Sequence, residues 1–94
     1  MTVLHVDLQL KPGAASELEK TYREVFRPAI SAQEGFLDVA LLRPTSEPDE
    51  YRLVIVFQSE PLRRKWVASA LHQEVWPPMK SHCTKYSVRL FEPA

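Results

Sequence analysis

In the stretch SEPLRRKWVASALHQEVWPPM, residues 59–79, two tryptophans, Trp66 and Trp76, bracket a histidine, His72. Indole rings offer flat apolar walls, and an imidazole titrates close enough to neutral pH that small shifts decide whether it takes a proton. Such a set suits a pocket for a flat organic molecule that must give up a proton; the same residues would also serve as core filling. Spacing limits which of them can meet. Six positions separate Trp66 from His72, which on one continuous helix puts them on different faces, so they converge only if the chain breaks near residues 69–71. His72, Val75 and Trp76 share a face by the three-and-four spacing. Elsewhere the pattern is poorer. His82 and Cys83 are adjacent, an unsuitable spacing for shared metal ligation, so no metal site is expected. Cys83 reads as a small buried hydrophobe or an inert thiol. The run Arg63, Arg64 and Lys65 reads as a solvated helix face.

The elements that must position these residues follow from periodicity. Leu4, Val6, Leu8 and Leu10 alternate with His5, Asp7 and Gln9, the pattern of a strand with one apolar face; His5 and Asp7 then face solvent or an interface. After KPG, a helical stripe of Leu18, Tyr22, Val25, Phe26 and Ile30 begins near Ala15, with Ser16 as its cap, and Pro28 should end or kink it. Gly35 opens a second strand, GFLDVALLRP, closed by Pro44 and followed by the hairpin loop TSEPDE. In that strand Leu37, Val39 and Leu41 fall on one side, and Phe36, Ala40 and Leu42 on the other. YRLVIVFQ is the third strand, with Tyr51, Leu53, Ile55 and Phe57 in one row and Val54 and Val56 making the other side apolar too, so it should be central. Ser59 caps the next helix, with Glu60 and Pro61 in its first turn and Leu62, Trp66 and Ala70 on its buried stripe. A shorter helical segment, SALHQEVWPP, should stop at Pro77 and Pro78, and YSVRLFE is the last strand.

The resulting order, βαββαβ, is that of a ferredoxin-like α+β fold with an antiparallel sheet and both helices on one face. The other face, apolar in its second and third strands, is then bare. Its simplest cover is the same face of a second copy, so a homodimer packed sheet to sheet is expected.

Composition narrows the function classes. Ninety-four residues predict one domain over residues 1–94, small enough for a partner subunit to matter to its stability. Twelve basic and twelve acidic residues cancel, which argues against nucleic acid and anionic membranes as partners. No segment approaches a membrane span and the amino terminus lacks a signal-like apolar run. With a single cysteine there is no internal disulfide, and the simplest location is cytoplasmic.

Taken together, GFLDVALLRP, EYRLVIVFQSE and KWVASALH resemble the antibiotic biosynthesis monooxygenase (ABM) family, small ferredoxin-like chains that dimerise into an α+β barrel. The family pattern has a Gly-Phe start to the second strand and a third strand ending in an aromatic residue, any residue, then Ser. A helix follows that carries an aromatic residue and, after it, Ser and His. Gly35 and Phe36, Phe57 and Ser59, then Trp66, Ser69 and His72 stand in those places. Phe57 occupies a position that is commonly Trp. The resemblance implies a cofactor-independent oxygenase or quinol oxidase that uses dioxygen on a small phenolic or polycyclic aromatic substrate, the ionised substrate itself supplying the electrons. In that reading Trp66 orients the ring and His72 takes the phenolic proton. Phe57 and Trp76 contribute to substrate binding, and Tyr51, Arg52 or Arg89 supplies a donor to the anion. The family's haem-degrading branch is the poorer match: where it places iron-holding Asn and His, this chain has Val6 or Asp7, and Trp76, and an indole cannot ligate iron. A barrel that binds an aromatic metabolite without transforming it is the remaining alternative.

Overall fold

The computed structural model describes residues 1–94 and has the ferredoxin-like architecture. Strands β1 (Thr2–Leu10), β2 (Phe36–Leu42), β3 (Glu50–Phe57) and β4 (Cys83–Phe91) form one antiparallel sheet in the order β2-β3-β1-β4. The helical layer lies on one face. It consists of α1 (Ala15–Thr21) and α2 (Arg27–Ser31), joined without a break by a π-helical turn (Tyr22–Phe26), then α3 (Glu60–Val67) and α4 (Ala70–Lys80). No helix is long and apolar enough to cross a membrane.

The core lies between sheet and helices. Leu4, Val6 and Leu8 of β1 and Tyr51, Leu53, Ile55 and Phe57 of β3 point into it, as their alternation requires, and meet Leu18, Tyr22, Phe26, Ile30 and Trp66. Residues paired across the strands share a face, so Tyr86, Val88 and Leu90 of β4 also look toward the helix side. The helices cover only the Cys83–Tyr86 end of that edge strand, and Val88 and Leu90 remain half exposed. The opposite sheet face is bare in the single chain. Val3, Ala40, Val54, Val56 and Phe91 lie there with His5, Arg89 and the Asp7–Arg52 ion pair.

Several sequence expectations are corrected. The long helix starts after Ala14, with no side-chain cap, so Ser16 lies inside it. Pro28 neither ends nor visibly breaks the helix, which continues to Ser31. A proline at 28 has no N–H for the Glu24 carbonyl and its ring crowds that group. The wide π turn just before it, in which the Arg27 N–H reaches the Tyr22 carbonyl, makes the room. The same turn explains the stripe. Leu18, Tyr22, Phe26 and Ile30 are spaced by fours and all buried, whereas Val25 is 39% exposed. In a pure α-helix a spacing of four drifts by about 40° per step; one wider turn takes up that drift and turns Val25 outward.

In β2 the register shifts between Phe36 and Asp38, so Phe36 pairs with Phe57 on the helix side, with the rings edge to face at 6.2 Å. Strict alternation had grouped Phe36 with Ala40 and Leu42; the bulge reverses that face. Gly35 precedes it at φ +81°, and a Cβ there would lie 2.5 Å from Leu62 Cδ1, so any other residue is strained and must displace Leu62. Finally, α4 passes through Pro77 and Pro78 to Lys80. The carbonyls left without donors belong to Gln73 and Glu74, both exposed residues, where water can replace the missing N–H groups.

Candidate functional site

The break that lets Trp66 and His72 meet is built by Ser69. After α3 ends at Val67, Ser69 adopts an extended conformation and becomes the N-cap of α4. Its hydroxyl donates to the Trp66 carbonyl at 2.7 Å and accepts from the His72 N–H at 3.2 Å, closing the end of one helix and the start of the next with one side chain. His72 therefore swings back onto Trp66. Their rings stand edge to face at 5.1 Å, and Trp76, one turn on, lies nearly parallel to His72 at 6.4 Å. Phe26 meets both indoles edge-on at 6.2 and 6.3 Å, and Trp76 meets Tyr86 edge-on at 5.3 Å.

These rings bound a slot of about 280 Å³ between helices and sheet, floored by β1 and β3 side chains and opening along β4 at Tyr86 and Val88. Ten of its twelve lining residues are hydrophobic; the two that are not are His72 and Arg63. A slot of this size and apolarity, with few polar groups, is the form of a small-molecule site. Burial pushes the His72 pKa below its usual value of 6.5, so the ring is neutral near pH 7. Its Nδ1 is buried with no hydrogen-bond partner, which leaves Nε2 as the ring nitrogen a ligand could meet. Such an orphan is uncommon in a native interior and costs stability.

Arg63 escaped the sequence reading as part of a basic run. Arg64 and Lys65 are indeed exposed, but only 15% of the Arg63 side chain is. It lies three residues before Trp66, on the same helical face, and that spacing was the available signal. Its Nε donates to both Glu60 carboxylate oxygens, at 2.9 and 3.1 Å, and Nη2 donates to one of them. Glu60 in turn accepts from the Thr2 hydroxyl at 3.0 Å. Arg63 holds the Glu60 carboxyl at about 2, well below its ordinary range, with Thr2 and Arg64 adding to the effect.

The other expected site residues lie elsewhere. Phe57 is fully buried beneath Phe36 in the core. Tyr51 shares the helix-facing side of β3 but sits at its far end, where its hydroxyl donates to Glu19. Arg43 donates to the same carboxylate, at 3.0 Å through Nε. Arg52 pairs with Asp7 at 2.7 Å on the bare sheet face. Arg89 is on that face as well, opposite His5, with its guanidinium 4.9 Å from the Phe91 ring centre. The sheet thus separates Arg52 and Arg89 from the slot, because both alternate with the inward residues of their strands. A wider cleft of about 500 Å³ runs beside Asp7, Arg43, Tyr51, Arg52 and Lys85, but only four of its twelve lining residues are hydrophobic, Asp7 is paired with Arg52, and Arg43 is paired with Glu19. His82 and Cys83 are engaged locally, His82 with the Thr21 hydroxyl at 3.2 Å and Cys83 with the Met79 carbonyl. No group of three or more His, Cys, Asp or Glu side chains is disposed to hold a metal ion.

The fold is widely shared. A protein from Bordetella bronchiseptica described as an antibiotic biosynthesis monooxygenase superposes with a TM-score of 0.87 at 20% identity, covering 99% of this chain and 97% of that one. SnoaB, a cofactor-independent oxygenase from Streptomyces nogalater, superposes with a TM-score of 0.84 at 19% identity, covering 99% and 93%. A conserved protein from Methanosarcina mazei gives 0.85 at 14% identity, covering 100% and 94%. At these identities the likeness establishes the fold alone. No curated protein matches the sequence. The antibiotic biosynthesis monooxygenase family model, however, matches residues 1–76, which include every strand and helix that forms the slot except β4 and the last turn of α4. The chain therefore belongs to the antibiotic biosynthesis monooxygenase family.

Proposed function

We propose that the protein is a cofactor-independent monooxygenase that oxidises a flat phenolic or polycyclic aromatic substrate with dioxygen, and that it works as a homodimer joined through the bare sheet face. The observation that carries this reading is the apolar slot in which His72, neutral and with no hydrogen-bond partner at either ring nitrogen, stands edge-on to Trp66. SnoaB, described as a cofactor-independent oxygenase, has the same fold and supports the reaction class.

In this mechanism Trp66 and Trp76 flank the aromatic ring, Tyr86 lies at the mouth, and His72 takes the phenolic proton at Nε2. The ionised ring then gives electrons to dioxygen. In a methylene-to-carbonyl oxidation, one oxygen atom enters the ring as the carbonyl and the other leaves as water, the substrate supplying all four electrons. The apolar walls exclude bulk water from the carbanion-like intermediate.

The test is oxygen uptake with a panel of anthrones, dihydroxynaphthalenes and quinols, comparing wild type with Trp66→Phe and His72→Ala at matched dimer content. Uptake above the uncatalysed rate that falls by about 10² or more in His72→Ala is expected. Saturable binding without uptake would replace the enzyme by a binding barrel. A monomer by light scattering at working concentration would remove the dimer.

A further inference from the structure

The slot poses a problem that His72 alone does not solve. A phenol ionises near pH 10 when unperturbed, whereas the His72 imidazole is a weaker base than a free one. A proton taken at Nε2 leaves Nδ1–H buried without a partner, so the imidazolium is not a stable resting place for it. An apolar pocket also disfavours the phenolate itself by desolvation. Both effects oppose the transfer, so a site that ionises a phenol here needs a fixed positive donor beside the oxygen.

One cation lines the slot, Arg63. Its geometry is that of a held donor. Nε and Nη2 are occupied by Glu60, whose carboxylate is anchored by the Thr2 hydroxyl at the start of β1, while Nη1 makes no hydrogen bond within the chain. Three hydrogen bonds from two nitrogens to one carboxylate fix the guanidinium plane and leave the third nitrogen free, a preorganisation that a lone lysine could not match. The charged and titratable groups around the slot are Arg63 and Glu60 of α3, His72 of α4 and Tyr86 of β4, with Lys80 of α4 5.7 Å from the centre of the Tyr86 ring.

We propose that Arg63, oriented by Glu60 and Thr2, is the oxyanion-binding residue of the slot and makes it select ionisable phenols over ethers or hydrocarbons of the same shape. This deepens the monooxygenase reading and rests on the same slot. Arg63 Nη1 donates to the substrate oxygen, the bond strengthens as the O–H proton leaves for His72, and the electrons stay on the ring for transfer to dioxygen. Thr2 and Glu60 act through Arg63 as positioning residues.

The experiment uses a chromogenic nitronaphthol, whose phenolate absorbs in the visible, and its methyl ether, which has the same outline and no acidic proton. Affinity for each and the pH at which the bound naphthol ionises are measured for wild type, Arg63→Gln and Arg63→Lys. In wild type the bound naphthol should ionise at lower pH than in Arg63→Gln. Arg63→Gln should lose about tenfold or more in affinity for the phenolate, the scale of one charge-assisted hydrogen bond, while holding the ether as tightly as wild type. Arg63→Lys should fall between. Equal weakening of naphthol and ether in Arg63→Gln would mark Arg63 as packing only and overturn the proposal, as would an unchanged ionisation pH. In either case oxygen uptake by wild type would leave the monooxygenase reading standing. If the wild type binds neither probe and consumes no oxygen with any substrate of the panel, both fall together.

Discussion

The slot around His72 and the cluster around Glu19 treat polar groups in opposite ways. At the far end of β3, Glu19 takes hydrogen bonds from Arg43 and from Tyr51, and these two contacts hold its carboxyl at about 2. The carboxylate there has its partners in place. In the slot, the His72 Nδ1 is buried with none. A satisfied cluster contributes to folding and is finished when the chain folds; an unsatisfied one costs stability that folding alone does not recover. The difference separates a structural tie from a candidate site better than the size of the neighbouring cavity does, since the wider cleft lies on the satisfied side.

That contrast can be broken or sharpened by substitution. The largest effect should come from Trp66, which is 3% exposed and packs on Phe26. Trp66→Ala should cost about 3–5 kcal/mol in urea unfolding, because the indole is core as well as slot wall. Trp66→Phe should retain most of that stability and still lose oxygen uptake. Should Trp66→Phe keep full uptake, the ring would be core filling alone.

His72→Phe and Glu19→Gln should then move stability in opposite directions. Removing the orphan nitrogen should raise unfolding stability by about 1 kcal/mol at pH 6 while abolishing uptake. Loss of the Glu19 carboxylate should lower stability by about 1 kcal/mol at pH 7, a figure already reduced for partial solvent exposure, and leave uptake unchanged. A loss of stability in His72→Phe would mean that the imidazole has a partner and that the contrast is false.

The pH dependences differ as well. The Glu19 carboxyl is depressed in the folded state, so its contribution is full above its ordinary value near 4.5 and is lost as pH falls toward about 2. The His72 ring is depressed too, so again the unfolded chain binds the proton more readily, but in a window nearer neutrality. Stability should therefore decline as pH drops below 6.5, and His72→Phe should remove that part of the slope. Urea midpoints of wild type and the two variants across pH 3 to 8 would separate these windows.

The smallest effect belongs to Arg89, which lies behind the sheet. Arg89→Gln should change slot-ligand affinity by less than about 0.5 kcal/mol, read by titration with the nitronaphthol, at unchanged dimer content. A larger loss would mean that this face communicates with the slot.

Strand alternation, the cap at Ser59 and the two indoles flanking an imidazole were all legible in the sequence, because they depend on local period and on side-chain chemistry. The βαββαβ order followed from them, and so did the family resemblance. Even the condition for a Trp66–His72 contact, a break near residues 69–71, could be stated in advance. What periodicity cannot carry is a shift in the period itself. The π turn at Tyr22–Phe26 moved Val25 outward, and the bulge after Phe36 moved that ring to the core side. Each inserts one residue's worth of offset, a choice made by packing against other elements. The same limit applies to the site. Tyr51, Arg52 and Arg89 were the donors that residue type suggested, and only the assembled sheet and helices put all three away from the slot and Arg63 beside it. Residue chemistry and spacing determined which groups the protein has to work with; which groups share one apolar space is decided by contacts between residues distant in the chain, and that only the tertiary structure supplies.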